Sequence, residues 1–219
     1  MEGYASDREQ IESLKKWWKE NGKVLIVALA LGFGAIFGGK AWVDYKNSQA
    51  ESAALEFEQL LEELKQKNNQ AVVERGNQIV DTFPKTPYAS LAALALAKIK
   101  VEEGDYVSAR EKLQWILDHA RQPDMLLTAR MRLAKVMITQ GEAAQAVTLL
   151  DAVDPENFLS SYEEIKGDAY LARGEHDKAR LAYKKAFDAA SSGMPSQELQ
   201  MKLDDLGSDQ ENSESTRGS

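Results

Sequence analysis

The segment that decides the fold is Gly104–Ala109, with the sequence GDYVSA, because it returns twice further along the chain. It recurs as Gly141–Ala146 (GEAAQA) and as Gly174–Ala179 (GEHDKA), at spacings of 37 and 33 residues. Each glycine stands where one helix must stop and the chain must reverse, which requires a backbone freedom that other residues lack. Each alanine, five residues later, allows the second helix to pack closely on the first. The repeat predicts a stack of helical hairpins, each burying its apolar face against its neighbour.

Helical periodicity extends to both sides of these turns. Before them, the polar run Lys65–Asn69 ends one predicted helix, Pro84 ends the next, and Pro87 begins another. No stretch alternates apolar and polar residues as a half-buried strand does. After the last repeat, Met194–Leu206 is predicted to form a terminal helix that covers the last hairpin. We therefore expect an all-α domain.

These units resemble the tetratricopeptide repeat. The last unit fills the family's small and aromatic positions with Gly167, Tyr170, Gly174, Ala179, Tyr183 and Ala186. The middle unit has Ala134, Met137, Gly141, Ala146, Leu150 and Val153. The first clear unit has Ala97, Gly104, Ala109, Leu113 and Ile116, with Lys100 where an aromatic residue is usual. The resemblance implies a tetratricopeptide-like α-hairpin solenoid of three repeats plus one degenerate pair, 50–83.

Arrays of this kind bind polypeptides or domains along a concave surface lined by the first helix of each pair. The repeat phase predicts a partner-binding groove lined by Leu94, Lys98, Val101, Met131, Lys135, Ile138, Glu164, Asp168 and Leu171. Lys98 and Lys135 do not match the clamp with which chaperone-docking family members hold a C-terminal carboxylate. Glu164 and Asp168 would repel such a group. The mixed apolar and charged groove is expected to suit a less selective ligand.

A long apolar run, Val24–Gly39 (VLIVALALGFGAIFGG), lies near the N-terminus. At about 1.5 Å per residue it covers roughly 24 Å, and an extension to Val43 reaches the ~30 Å of a hydrocarbon core if the Lys40 stem reaches the headgroups. Tryptophans precede it and Trp42 follows it, as interfacial anchors do. We predict one transmembrane helix at 24–43, kept as an uncleaved signal anchor. A buried helix of a soluble core and a cleaved signal peptide are the alternatives.

Lysine and arginine counts predict the orientation of this span. Residues 1–23 carry one arginine and four lysines, whereas the twenty residues after Val43 hold only Lys46. Positive flanks stay inside, so we expect a cytoplasmic head at 1–23 and an external domain at 44–206. The head is predicted to contain a short amphipathic helix that starts at a capping box, Ser6–Glu9, and stops at Asn21-Gly22. It either lies on the inner leaflet or docks a cytoplasmic partner.

Small residues recur every fourth position within the predicted span. Ala30, Gly34 and Gly38 would lie on one face of the helix, where a second membrane helix could approach closely. The signal is common in membrane helices. It predicts lateral pairing with a partner helix.

Composition excludes several classes of function. The first 46 residues hold seven basic and six acidic side chains, so the remainder carries a net charge of −9, which argues against binding nucleic acid. The chain has no cysteine and two histidines, His119 and His176, which we place at solvated helix ends. No catalytic, metal-binding or cofactor-binding constellation is present in the sequence, so we predict that the protein is not an enzyme. The tail, 207–219, is predicted to be disordered, either native or added for expression.

The whole layout resembles the YfgM family, ancillary subunits of the SecYEG translocon. The residues that carry the resemblance are Glu20–Lys23, Phe83–Ala89 and the three glycine turns. The resemblance implies a non-catalytic adaptor in the bacterial inner membrane, with its repeat domain in the periplasm. The implied partners are SecYEG, the membrane-anchored prolyl isomerase PpiD, unfolded or nascent polypeptides and the lipid bilayer, with chains passed on to periplasmic chaperones. Two alternatives are a regulator of a cytoplasmic stress-response protein, acting through the head, and a scaffold of an envelope complex.

Overall fold

The structure, a computed structural model, describes residues 3–190 and 197–206; the side chains of residues 3–10, 25, 27–30 and 156 lie outside this description. It divides into two compact units, Met1–Glu51 and Ser52–Ser219. Every regular element among the described residues is a helix. In chain order these are α1 (Gly3–Lys65), α2 (Asn69–Thr82), α3 (Pro87–Glu102), α4 (Tyr106–His119), α5 (Pro123–Thr139), α6 (Ala143–Asp151), a 3-10 helix (Glu156–Phe158), α7 (Leu159–Ala172), α8 (His176–Ala189) and α9 (197–206).

All three glycine turns have the geometry that the repeat predicts. Gly104, Gly141 and Gly174 have φ angles of +77°, +80° and +71°, in the left-handed region that favours glycine. They join α3 to α4, α5 to α6, and α7 to α8, and the two helices of each pair pack against each other. The alanine five residues after each glycine is fully buried. The predicted array of helical hairpins is confirmed.

From α1 to α3, the helices end and begin where the polar run and the two prolines predict. The side chain of Asn68 accepts a hydrogen bond from the Ala71 amide at 3.2 Å, which satisfies one free N–H at the start of α2. The Thr86 hydroxyl donates to the Phe83 carbonyl at 2.9 Å and accepts from the Ala89 amide at 3.3 Å. One side chain thus links the end of α2 to the beginning of α3, just before Pro87 restarts the helical path.

The degenerate first pair is a true hairpin, formed by the C-terminal part of α1 and by α2. Leu60 and Val72 are fully buried in a shared apolar cluster. Arg75 of α2 reaches back to α1, with one guanidinium nitrogen 2.6 Å from Glu56 and another 2.8 Å from Glu63. These hydrogen bonds, to Glu63 first and then to Glu56, raise the pKa of Arg75. The pair therefore keeps hairpin packing although its sequence has lost the repeat pattern.

One apolar core runs through the stacked hairpins. A continuous cluster of buried side chains begins with Leu60 of α1 and reaches Ile165 of α7. A second cluster joins α8 to α9, where Tyr183 packs with Leu199 and Leu206. The predicted covering helix is therefore confirmed over 197–206. Its predicted first residues, from Met194, lie outside the described residues, as does the predicted disordered tail at 207–219.

The predicted helix stop at Asn21-Gly22 is wrong, because α1 continues through both residues. The Asn21 side-chain amide donates to the Trp17 carbonyl at 3.1 Å, an interaction within the helix. The Trp18 ring lies over Gly22, at 3.2 Å from the position where a β-carbon would stand. Glycine is used here for close contact with an aromatic ring, and not for a reversal of the chain. The capping box at Ser6–Glu9 lies outside the residues whose side chains are described.

Among the described residues, no helix combines the length and apolar character needed to cross a bilayer. Five residues of the span predicted at 24–43, Leu25 and 27–30, lie outside the described side chains. The transmembrane helix stays a prediction. The side chain of Ala30, one of the predicted helix-packing residues, falls in the same undescribed group.

The first testable consequence concerns the left-handed turn at Gly141. No atom lies within 4 Å of a β-carbon built there, so only the backbone angle opposes substitution. Gly141→Val should lower the free energy of unfolding by about 1–2 kcal/mol, the cost of a left-handed residue with a β-carbon. Gly141→Asn should cost less, because asparagine tolerates this conformation. Urea unfolding of both variants checks this; equal losses would show that the angle is not the cause.

The second concerns the close contact between α7 and α8. A β-carbon on Gly167 would overlap the Tyr183 ring, which is fully buried and whose hydroxyl donates to Asp168 at 2.7 Å. Because the Tyr183 ring is fully buried and its hydroxyl is hydrogen-bonded, the ring cannot move aside freely. Gly167→Ala should destabilise the fold by about 1–3 kcal/mol through overpacking. Ser161→Ala, at an exposed position of the same helix, is the control and should leave the thermal midpoint nearly unchanged.

Candidate functional site

A cleft of about 500 Å³ opens between α3 and α5, the first helices of two successive hairpins. This volume is within the ~300–1,000 Å³ of typical ligand pockets. Residues of α4 form part of its floor. The lining residues are Ala97, Lys98, Val101, Glu102, Tyr106, Leu113, Arg132, Lys135, Val136 and Thr139. Below, this cleft is called the groove.

The floor of the groove is apolar and its rim is charged. Leu113 is buried at the base, whereas Val101 keeps 38% of its surface exposed. On the rim, Lys98 lies 3.7 Å from Glu102 in an exposed i,i+4 pair. Arg132 and Lys135 are both exposed, and neither lies within 4.0 Å of a carboxylate among the described residues. An apolar side chain could enter the base while polar groups of the same ligand meet the cations above.

The structure brings three of the predicted groove residues together, Lys98, Val101 and Lys135. Three others serve mainly in packing, because Leu94 is buried and Met131 and Ile138 are half-buried against the apolar core. The remaining three, which are Glu164, Asp168 and Leu171, lie on α7, outside this cleft. Leu171 is exposed.

Sequence reasoning missed several residues that line the groove. Tyr106, Leu113, Arg132, Val136 and Thr139 all face it. Tyr106 and Leu113 belong to a second helix, which the repeat logic assigns to the opposite surface. Arg132 could have been predicted from the sequence, because it stands three positions before Lys135 and therefore lies on a neighbouring part of the same helix face.

Glu164 and Asp168 share a single lysine, which reaches them from α9. The Lys202 ammonium lies 2.9 Å from a carboxylate oxygen of each. Burial alone would lower the pKa of Lys202, but the hydrogen bonds to Glu164 and Asp168 outweigh it and raise that pKa. Burial also raises the pKa of Tyr183, and its hydrogen bond to Asp168 acts in the same direction. Lys202 also lies 3.5 Å from Glu198, so one cation faces three carboxylates. That Glu164 and Asp168 repel a carboxylate ligand stays a prediction, and both residues lie outside the groove.

A second cleft, of about 540 Å³, opens on the side of the second helices, between α4 and α6. Trp115 lies in its wall, and its ring stacks on His119 at a centroid distance of 4.4 Å. At one end of this cleft, a guanidinium nitrogen of Arg110 lies 2.6 Å from a carboxylate oxygen of Glu142. The exposed rim carries Glu111 and Asp118, so its charge is opposite to that of the groove.

The histidines and the acidic residues form no metal site within the residues that the structure describes. His119 is the last residue of α4, exposed, with a ring nitrogen 2.8 Å from the Trp115 carbonyl. His176 is the first residue of α8 and is exposed. The prediction that both stand at solvated helix ends is confirmed.

Comparison with known sequences gives the family. A family model described as a tetratricopeptide repeat-like domain matches residues 15–208. A protein of Haemophilus influenzae named ancillary SecYEG translocon subunit is 31% identical over 204 residues, which cover 93% of this chain and 99% of that protein. The chain belongs to this family of ancillary SecYEG translocon subunits. The resemblance drawn from the turns and the Phe83–Ala89 segment is therefore confirmed.

Other relatives with the same name also align with this chain over nearly their whole length. The one from Aggregatibacter actinomycetemcomitans is 30% identical over 91% of this chain and 97% of its own length. The one from Escherichia coli is 27% identical over 94% and 99%. A solved structure of the P58(IPK) TPR domain superposes with a TM-score of 0.48, at 11% identity over 78% of this chain and 48% of that one. The family assignment rests on the sequence relatives and on the repeat-domain match.

A third prediction concerns the cation between α7 and α9. Lys202→Met keeps the stem of the side chain but leaves Glu164 and Asp168 without their cation. Because the three groups are half-buried, we expect a loss of about 1–2 kcal/mol, between the values for exposed and buried pairs. Amide hydrogen exchange should show faster opening of 197–206. Lys184→Met, at an exposed position of α8, is the matched control; equal exchange in both variants would show that the cluster does not hold α9.

Proposed function

We propose that this protein is a non-catalytic, membrane-anchored adaptor at the Sec translocon that binds partner proteins and helps pass emerging polypeptides to periplasmic chaperones. The observation that carries the proposal is the match, over nearly the whole chain, to relatives named ancillary SecYEG translocon subunit. The hairpin array supports it, since such arrays present extended concave surfaces to their ligands. The groove, with an apolar floor and a charged rim, is the surface that would receive a chain.

The N-terminal unit supports membrane anchoring. Exposed large apolar side chains, among them Leu31, Phe33, Ile36 and Phe37, point in different directions around α1, as expected for a helix surrounded by lipid. The exposed aromatic residues Trp18 and Trp42 stand on either side of them, at the positions of interfacial belts. We place the membrane helix at 24–43, the N-terminus in the cytoplasm and the repeat domain in the periplasm, since lysines cluster before the span.

A membrane helix of the translocon could pack against the small-residue face of this anchor. No atom lies within 4 Å of a β-carbon built on Gly34 or Gly38, so both positions leave room for the backbone of a neighbour. The anchor would then hold the periplasmic domain beside the channel exit. There the groove meets an emerging chain or the membrane-anchored isomerase PpiD.

Site-specific crosslinking in intact membranes tests this function. A photoreactive residue at Val101 or Lys135, in the groove, should capture emerging secreted chains, and one at Gly34 should capture a subunit of the translocon. The matched control is Gln145, an exposed position on α6, the second helix of its hairpin. Adducts from Val101 and Lys135 should exceed those from Gln145, because only the former line the groove.

Two results would contradict the proposed function. If translocon adducts fail to form from Gly34, and the protein does not copurify with SecYEG from gently solubilised membranes, the adaptor function at the translocon is refuted. Protein recovered free of membranes and lacking its first forty residues would refute the anchor.

A further inference from the structure

We propose that the groove selects unfolded polypeptide segments in which an apolar side chain is flanked by carboxylates. The proposal rests on the adaptor function and names the class of chain that the adaptor holds. It is carried by the sign of the charge at the groove and by the apolar floor beneath that charge.

The residues that line the groove have a net positive charge, opposite in sign to the net charge of the whole chain. The whole chain has a net charge of −8, yet the groove is lined by Lys98, Arg132 and Lys135 against one acid, Glu102. Glu102 already faces Lys98 at 3.7 Å. Two exposed cations one helical turn apart on α5 are thus left to meet a ligand, and carboxylates are the complementary groups in a polypeptide.

Acids of the next hairpin do not line the groove. Glu164 and Asp168 are the predicted groove residues that would repel an acidic ligand. Lys202 lies 2.9 Å from each of them, and the Tyr183 hydroxyl donates to Asp168 at 2.7 Å. Both acids lie on α7, outside the groove, so the residues that line the groove set its net positive charge.

The apolar floor adds a second requirement to the ligand. Ala97, Leu113 and Val136 form the base, with Val101 and Tyr106 on the walls. A cleft of about 500 Å³ between two helices admits side chains from an exposed segment, whereas a folded domain would not enter it. An unfolded segment meets both requirements when an apolar residue enters the base and neighbouring glutamates or aspartates reach Arg132 and Lys135.

The second cleft provides an internal contrast. It offers comparable volume and an apolar wall that includes Trp115, but its rim carries Glu111 and Asp118. An acidic segment would be repelled there. Binding of acidic segments should therefore depend on the groove and not on any apolar cleft of sufficient size.

Peptide binding to the full-length chain in uncharged detergent micelles tests the proposal. One fluorescein-labelled peptide has central leucine and phenylalanine residues flanked by glutamates; its matched partner has lysine in place of every glutamate. Fluorescence anisotropy should show the glutamate peptide binding about tenfold more tightly, as two exposed ion pairs allow. Its affinity should fall as salt is raised, because exposed charges are screened.

Charge-reversal variants locate the effect. Arg132→Glu with Lys135→Glu should weaken the glutamate peptide by about tenfold or more, by removing two attractions and adding repulsion. Lys184→Glu with Lys185→Glu changes the net charge of the chain equally, at exposed positions of α8, and should leave affinity unchanged. Circular dichroism confirms that each variant is folded, and the milder Arg132→Gln with Lys135→Gln provides a second measurement.

Three results would overturn the proposal. These are equal affinity for the two peptides, no binding of either, or equal weakening by the α5 and α8 reversals. The outcome is distinguishable from a failure of the adaptor function, which is measured by translocon adducts from Gly34 in membranes. A protein that binds the translocon but shows no charge preference keeps its adaptor function and loses this inference.

Discussion

Close approach of the two helices within each hairpin is the constraint on which the rest of the structure depends. It requires a residue that can take a positive φ angle at the reversal and small side chains where the helices cross. Gly104, Gly141 and Gly174 satisfy the first requirement. The buried alanines that follow them satisfy the second, and at the last crossing Gly167 goes further by accepting the Tyr183 ring directly against its backbone. These contacts allow the two helices of each hairpin to pack closely.

The packing of one hairpin on the next creates the groove. The first helices of successive hairpins stand side by side, and the cleft between α3 and α5 has residues of α4 beneath it. The inward faces of α3 and α5 pack into the apolar core. The side chains that line the cleft between these two helices therefore remain available to a ligand. Leu94 and Val101, seven residues apart, share one face of α3 but differ in their position along it: Leu94 is buried in the core, whereas Val101, near the end of the helix, lines the groove and keeps 38% of its surface exposed.

Ion pairs mark several junctions between neighbouring helices. Arg75 joins α2 to α1, and Arg110 joins α4 to Glu142, at the start of α6. Lys166 of α7 reaches Asp151 of α6 at 2.8 Å, and Lys202 joins α9 to α7. Exposed or half-exposed pairs of this kind contribute modestly to stability. Their distribution is more informative, because it leaves Arg132 and Lys135 as cations without such a structural partner among the described residues.

The fold could be predicted from the sequence because its signals are local. A glycine and an alanine five residues apart, repeated three times, define the hairpins, and the prolines at 84 and 87 define a boundary. The pairing of Glu164 and Asp168 with α9 could not be predicted in the same way. Lys202 is 38 residues from Glu164, and no local pattern links them. The false stop at Asn21-Gly22 has the same origin, since nothing in that dipeptide reveals that the Trp18 ring covers the glycine.

The covering helix also determines how long the array can be. Leu199 and Leu206 of α9 occupy the apolar face of α8 on which the first helix of another hairpin would otherwise pack. The apolar face of α8 is therefore already occupied, and a further hairpin packed on that face would have to displace α9.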